Sequence, residues 1–141
     1  MLGLHQLGSV TIVSRTSLTA PTTDTLKAAL YLATGSLGAG TTAYSATSEV
    51  SGTNYTAGGI SVTNATGPST SGTTGIWTPS ASLVYTTVTL ASAFDTCLVY
   101  NSTQTNRSIG VYTFGSQTVT AANFTLTMPV NDATHALIQL A

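Results

Sequence analysis

The stretch VYTTVTLASAFDTCLVY, from Val84 to Tyr100, carries the most information about the fold. Apolar residues alternate with polar ones at a period of two, which predicts a strand at Val84–Leu90 and another at Phe94–Tyr100. In the first strand, Val84, Val88 and Leu90 share one face. The second strand has apolar residues on both faces, so we expect it to be a central strand covered on both sides.

The same reading extends outward along the chain and predicts an all-β protein. Alternation or short apolar runs predict strands at Leu26–Leu32 (half-buried), Ile60–Val62, Ile109–Phe114 (ended by Gly115), Phe124–Met128 and Leu137–Leu140, with a loop at Asn64–Gly75 and a turn at Asn101–Asn106. About eight strands without a long helical pattern favour an antiparallel β-sandwich of the jelly-roll type.

Length and composition predict one domain preceded by an arm. A chain of 141 residues suits a single hydrophobic core. Residues 1–20 read as an extended N-terminal arm, and residues 21–141 read as one β-sandwich domain. A long Gly-, Ser- and Thr-rich loop spans Gly35–Gly59, and we expect Tyr44, Val50 and Tyr55 to anchor it.

Charged residues make up only 5% of the chain, and the formal net charge is -1. Serine and threonine together supply roughly a third of the residues, so the surface is polar but neutral and tolerates close self-association. Arg15, Lys27 and Arg107 are scattered, which argues against direct nucleic-acid binding. No apolar run is long enough to span a membrane and no leader pattern is present, so we expect a soluble, unprocessed protein without membrane contact.

The residues that could carry chemistry do not form a recognisable site. The candidates are the acids Asp24, Glu49, Asp95 and Asp132, the imidazoles His5 and His135, and the single thiol of Cys97. No metal-ligand spacing or phosphate-binding loop occurs, and a Ser-His-Asp set built on His135 and Asp132 lacks the usual nucleophile turn. We therefore expect acids that cap turns, a buried strand cysteine, no cofactor, no metal and no enzymatic activity.

Three stretches carry a resemblance to a known family. They are LKAALYLATGSLGAGTTAYSATSEVSGTNYTAGG (Leu26–Gly59), LVYNSTQTNRSIGVYTFG (Leu98–Gly115) and MPVNDATHALIQLA (Met128–Ala141). In these stretches the chain resembles the capsid cement, or head decoration, proteins of tailed bacteriophages. It departs from them at Ile76–Ser80 and in the segment Met1–Ala20.

The resemblance implies a jelly-roll structural protein that binds the outer surface of an icosahedral phage head. Its partner would be the major capsid protein, whose neighbouring subunits it would clamp against internal DNA pressure, with self-association as a dimer. The expected location is the capsid exterior of the virion, after synthesis in the host bacterial cytoplasm. The alternative is a tail or receptor-recognition β-module of a phage particle, which would use a similar β-rich, Ser- and Thr-rich composition to bind host glycans or a surface protein.

Aromatic residues are the first candidates for interface anchors, because they bury a large area and carry a polar group. The candidates are Tyr31, Tyr44, Tyr55, Trp77 and Tyr112, with Asn54 and Arg107 as further contacts. Packing in the hydrophobic core is the competing explanation for the aromatic residues.

Overall fold

The computed structural model describes residues 24–63 and 67–140, and this part of the chain is all-β with two antiparallel sheets and no helix. Its strands are β1 (Leu26–Leu32), β2 (Ile60–Ser61), β3 (Ser69–Ser71), β4 (Thr74–Trp77), β5 (Leu83–Asn101), β6 (Arg107–Leu126) and β7 (Ile138–Leu140). One sheet has the order β2-β1-β5-β6 and the other the order β3-β4-β7. The predicted arm, residues 1–20, lies outside the described residues.

A long hairpin of β5 and β6 dominates the larger sheet. The sequence predicted two strands on each side of this hairpin, but β5 runs without a break through Ala91–Ala93, and β6 continues past Gly115 to Leu126. These fusions remove two predicted strands, and the short strands β3 and β4, which were not predicted, bring the described residues to seven strands instead of about eight. Small residues do not interrupt a strand when irregularities in the ladder absorb the misfit, and the β5–β6 register shifts at several points between Tyr85 and Thr96.

One of these irregularities moves a side chain to the other face. Tyr85 and Val88 are both buried although they are three residues apart, because Thr87 between them has a positive φ of 49°. Val84, which the alternation placed on the face of Val88, is instead 42% exposed. The bulge is held in place by a side-chain amide: the Thr87 backbone N–H donates to Oδ1 of Asn123 at 2.8 Å.

Strand β1 is buried on both faces, so the prediction of a half-buried strand is wrong. Ala28 and Leu30 belong to the larger hydrophobic cluster, while Ala29 and Tyr31 belong to a smaller cluster on the opposite face. The long loop between β1 and β2 covers this second face, which the local sequence pattern could not indicate. The prediction of a central strand at Phe94–Tyr100 is confirmed, since this part of β5 lies between β1 and β6.

The loop predicted at Asn64–Gly75 is in part a hairpin of the smaller sheet, at residues 69–75, while residues 64–66 lie outside the described residues. β3 and β4 form a hairpin whose turn contains Gly72 with a φ of 63°, and β4 also pairs with β7 through Trp77 and Ile138. The short strands escaped prediction because β3 contains only Ser and Thr, while the two apolar residues of β4 are adjacent and show no alternation. Trp77 and Ile138 belong to the same hydrophobic cluster as Leu30, so the two sheets share one core.

Three further local predictions agree with the structure. Asn101–Asn106 contains the turn between β5 and β6, with Thr105 and Asn106 both at positive φ. The final predicted strand is present as β7. Cys97 is 1% exposed in β5, and burial raises the pKa of its thiol to about 12, so the prediction of a buried strand cysteine is confirmed.

Gly59 provides a test of how the β1–β2 loop returns to the sheet. Its φ is +73°, and a Cβ at this position would overlap the carbonyl oxygen of Ala28. We expect Gly59→Ala to lower the free energy of unfolding by about 3 kcal/mol or more, because strain and backbone overlap add. Urea denaturation measures this change. Gly40→Ala is the matched control, since no atom lies within 4 Å of the place that its Cβ would occupy, and equal midpoints for both variants would contradict the prediction.

Candidate functional site

The β1–β2 loop, residues 33–59, packs across the end of β1 without forming a regular strand of its own. Its residue Val50 donates a backbone hydrogen bond to the carbonyl of Leu30 at 3.0 Å, and Leu32 donates to the carbonyl of Ser48 at 2.9 Å. Tyr31 and Glu49 form an isolated β-bridge in the same place. The loop is therefore fixed to the strand by its backbone at residues 48–50.

The carboxylate of Glu49 ties the rest of the loop to this point. Its Oε2 accepts a hydrogen bond from Tyr44 Oη at 2.7 Å, and its Oε1 accepts from Tyr55 Oη at 2.8 Å and from the Gly58 amide at 2.7 Å. Tyr55 Oη also accepts the Leu30 amide at 3.0 Å. Hydrogen bonds to an ionised acceptor are stronger than neutral ones, so one side chain fixes three points of the loop.

Tyrosine rings extend this cluster into the sheet. Tyr44 stacks on Tyr100 with ring centroids 4.7 Å apart, and Tyr55 stacks on Tyr85 at 6.1 Å. The Tyr100 hydroxyl donates to the carbonyl of Gly58 at 2.8 Å. The predicted anchoring of the loop by Tyr44, Val50 and Tyr55 is thus confirmed. The sequence indicated Glu49 only as an acid that caps a turn, and did not reveal that it accepts hydrogen bonds from two of these tyrosines.

Burial is the largest cause of raised phenol pKa values in this cluster. It raises the pKa of Tyr44 to about 12, with further contributions from the hydrogen bond to Glu49 and from its negative charge. The pKa values of Tyr31 and Tyr55 are also raised, again chiefly by burial. The hydroxyls therefore remain protonated and act as donors throughout the physiological range.

A cleft of about 320 Å³ opens between the β1–β2 loop and the end of β1. Its lining is mostly hydroxyl-bearing and uncharged, and consists of Tyr31, Thr34, Ser36, Leu37, Thr41, Ala43, Ser45, Thr47 and Ser48. The Tyr31 hydroxyl already donates to the carbonyl of Ser45 at 2.6 Å. The hydroxyls of Thr41, Ser45 and Thr47 also make hydrogen bonds within the loop. The lining can exchange further hydrogen bonds with a neutral polar molecule but offers no charge to an ionic one.

The outer edge of β6 is a second exposed feature. The β1–β2 loop pairs with its beginning, where Tyr44 donates to the carbonyl of Asn106 and Ser108 donates to the carbonyl of Thr42. Beyond Ser108, no described residue pairs with this edge. Phe114, which lies further along the strand, is only half-buried and packs edge-on against Phe94 at 6.0 Å.

The candidate anchors do not form one surface. Tyr31 is 1% exposed and Trp77 is 2% exposed, so neither presents side-chain surface to a partner in this conformation. Tyr44 and Tyr55 are half-buried beside Glu49. Tyr112 is half-buried in β6, where its ring lies across Gly110 at a distance that leaves no room for a Cβ.

The two polar candidates are both exposed. Asn54 has a positive φ of 60° and donates from Nδ2 to the carbonyl of Thr87 at 2.9 Å, which ties the β1–β2 loop to the bulge in β5. Arg107 begins β6 and forms an isolated bridge with Ala43. Asn54 therefore has a structural role that the sequence did not reveal, and Arg107 presents its side chain to solvent.

Asp132 and His135, the pair considered for a Ser-His-Asp site, lie together in a turn that Asp132 caps. Asp132 Oδ1 accepts hydrogen bonds from the amides of Thr134 and His135, each at 2.8 Å, and contacts the His135 ring nitrogen at 2.8 Å. These bonds, with the imidazole contact as the largest cause, hold the pKa of Asp132 below its usual range. The prediction that this acid caps a turn is confirmed.

Within residues 24–63 and 67–140, no three acidic, histidine or cysteine side chains gather as a metal site would require. The same residues contain no helix with the length and apolar character needed to cross a bilayer. Comparisons of the chain with protein-family models, with curated proteins and with solved structures found no match.

Replacing Glu49 tests the clamp on the β1–β2 loop. We expect Glu49→Ala to lower the free energy of unfolding by about 2 to 3 kcal/mol, because two phenols and one amide lose a charged acceptor. Glu49→Gln keeps one acceptor oxygen and should lose about half as much. Chemical denaturation with tyrosine fluorescence measures both variants, and an alanine variant as stable as the wild type would show that the carboxylate does not hold the loop.

The raised phenol pKa values predict loss of stability in alkali. An unfolded tyrosine ionises near pH 10, whereas Tyr44 in the fold has a pKa of about 12. Stability is then fully present below pH 10 and falls as the pH rises toward 12, because the unfolded state releases its protons first. Denaturant midpoints across this range measure the decline. Tyr44→Phe should make it shallower, and a constant midpoint would contradict the prediction.

Proposed function

We propose that this chain is a capsid cement protein of a tailed bacteriophage, which binds the outside of the head and clamps neighbouring major capsid subunits. In this proposal it is a structural protein and not an enzyme, its partners are the major capsid protein and a second copy of itself, and its two sheets form a jelly-roll sandwich. The observation that carries the proposal is the nearly uncharged exposed surface of the β5–β6 hairpin.

The surface of the β5–β6 hairpin is better suited to contact with protein than to exposure to water. From Leu83 to Leu126 it contains only two charged residues, Asp95 and Arg107, although most of β6 beyond Thr113 is exposed. Desolvating a hydroxyl that finds a new hydrogen bond costs little, whereas desolvating an unpaired charge costs several kcal/mol. A surface of this kind can be covered permanently by neighbouring subunits at low cost.

The clamped loop supports the same function in a different way. Binding costs conformational entropy when a loop has to become ordered at the interface. The β1–β2 loop is already fixed by Glu49, by Asn54 and by the backbone at residues 48–50. It therefore presents a preorganised surface on which Tyr44, Tyr55 and Asn54 are the proposed contacts, with Arg107 and Tyr112 contributed by β6.

In this proposal, the number of bound copies explains how the chain strengthens the shell. DNA packaging pressurises the shell, and each copy of a cement protein adds a modest interface between capsomers. Many such interfaces must be broken together before the shell opens, so the total free energy is large even where the affinity of one copy is moderate. Tyr31 and Trp77 contribute to this role by holding the fold, since both are buried.

The cleft of the β1–β2 loop favours a second candidate function, recognition of a receptor by a tail module. Its volume of about 320 Å³ is at the lower end of the range of small-molecule sites. A lining of serine and threonine hydroxyls suits an uncharged glycan. The receptor-recognition candidate therefore rests on the cleft and does not need the chain to bind a capsid shell.

Copy number on purified particles tests the proposal and separates the two candidates. We expect on the order of hundreds of copies per head for a cement protein, because the symmetry of the shell repeats its binding site. Quantitative gel electrophoresis measures the copy number. Heads lacking the protein should also release DNA at lower temperature and regain resistance when the purified chain is added.

About three to a dozen copies per particle would instead identify a tail part, in keeping with the low-order symmetry of tail structures. Failure of the purified, folded chain to bind filled or empty heads would refute the cement function. Particles from which the tail has been removed serve as the control, since only a shell protein stays with them.

A further inference from the structure

We propose that the cleft between the β1–β2 loop and the end of β1 is a preformed binding site for one or two rings of an uncharged sugar. This deepens the receptor-recognition candidate by naming the ligand and the residues that hold it, and it rests on that candidate only for its biological role. The site belongs to the folded chain itself, wherever on a particle the chain is located. A group of hydroxyls in the cleft wall without a protein partner carries the proposal.

Three hydroxyls of the cleft wall are available to a ligand. Those of Thr34, Ser36 and Ser48 make no hydrogen bond with any residue that the structure describes. The hydroxyls of the other lining residues already make hydrogen bonds within the loop. Each free hydroxyl can donate one hydrogen bond and accept others, as the hydroxyls of a sugar do, so the wall and the ligand match in chemical kind.

The cleft wall also has an apolar part, which suits a sugar ring. Leu37 is half-buried, packs against the smaller hydrophobic cluster and lines the cleft together with Ala43. Pyranose rings expose C–H groups on their faces, and removing these from water against a leucine side chain is favourable. Small-molecule sites commonly combine an apolar wall with a few placed polar groups.

The wall of the cleft is held in place before a ligand binds. Ser48 has a positive φ of 63°, and its carbonyl accepts a hydrogen bond from the Leu32 amide at 2.9 Å. Glu49, the next residue, holds Tyr44, whose two neighbours in sequence both line the cleft. Ordering a loop at the moment of binding weakens affinity, so a wall that is already ordered favours the bound state.

Charge and size restrict the ligand that the cleft can accept. Among the described residues, no charged side chain lines the cleft, and Arg107 bridges to Ala43 without being part of the lining. An anionic sugar would lose hydration there without gaining a counter-charge. The volume of about 320 Å³ is small for a ligand site, so one or two rings fit while the rest of a longer glycan would stay in solvent.

A peptide is less suited to this cleft than a sugar. Peptides that bind along a strand depend on free backbone groups of that strand. Beside the cleft these groups are already paired, since the Val50 amide donates to the carbonyl of Leu30 and the Leu32 amide donates to that of Ser48. The cleft offers side-chain hydroxyls instead, which favours a sugar as the occupant.

Titration of the full-length chain with neutral sugars tests the site directly. The probes are the methyl glycosides of glucose, galactose and N-acetylglucosamine, and NMR follows the amides of residues 31–48. A ligand with about a dozen non-hydrogen atoms is expected to bind with a dissociation constant on the order of 1 mM. Glucuronate, an anionic sugar with the same ring, should bind about tenfold more weakly or less.

A variant without the free hydroxyls tests which residues hold the sugar. T34V/S36A removes two of the three with little change in side-chain volume, and both positions are exposed, so the fold should be unaffected. We expect the affinity for the neutral glycosides to fall about tenfold. The matched control T86V/S92A removes the same groups from exposed positions of β5 outside the cleft and should bind like the wild type. Equal melting temperatures of the two variants verify that both are folded.

The proposal would be overturned if none of the three glycosides bound at concentrations on the order of tens of millimolar. Equal affinity for glucuronate, or a T34V/S36A variant that binds as well as its control, would overturn it too. Head binding does not enter these measurements. A chain that coats phage heads but ignores sugars would keep the cement function and remove the sugar site, whereas a chain that binds the glycosides but ignores heads would do the reverse.

Discussion

The described fold depends most on the placement of one carboxylate beneath a long loop. Residues 33–59 have almost no regular secondary structure, and such a segment would ordinarily sample many conformations. Glu49 prevents this by accepting hydrogen bonds from Tyr44, Tyr55 and Gly58. Its donors come from both sides of it in sequence, so the loop is closed on itself as well as held against β1.

The clamp has a consequence for the strands beneath it. β1 can be buried on both faces only because the loop covers the face that carries Ala29 and Tyr31. The same cover extends to β5 through the stacking of Tyr44 on Tyr100. Burying two faces of a short sheet gives a chain of this size a larger core than its few strands would otherwise provide. Loop and core are therefore parts of one cooperative unit.

Sequence periodicity was most reliable where the ladder is regular, as in the part of the central strand from Thr96 to Val99. It failed at Thr87, whose positive φ shifts Val84 to solvent, because a bulge formed by threonine leaves no mark in the sequence. The candidate site was predictable in part, since aromatic residues stood out and Tyr44 does lie in the exposed loop. The sequence left Trp77 open between the core and an interface, because its burial depends on pairing between β4 and β7, which are distant along the chain.

The scarcity of charge links the fold to its proposed use. A protein that remains alone in water gains solubility from charged side chains, and edge strands gain protection from them. In this chain three acids of the described part are occupied internally: Glu49 clamps a loop, Asp132 caps a turn, and Asp24 Oδ2 accepts a hydrogen bond from Nδ2 of the Asn101 side chain at 2.9 Å. Little charge is left on the exposed surface of the β5–β6 hairpin, so covering this surface with neighbouring subunits would cost little desolvation free energy.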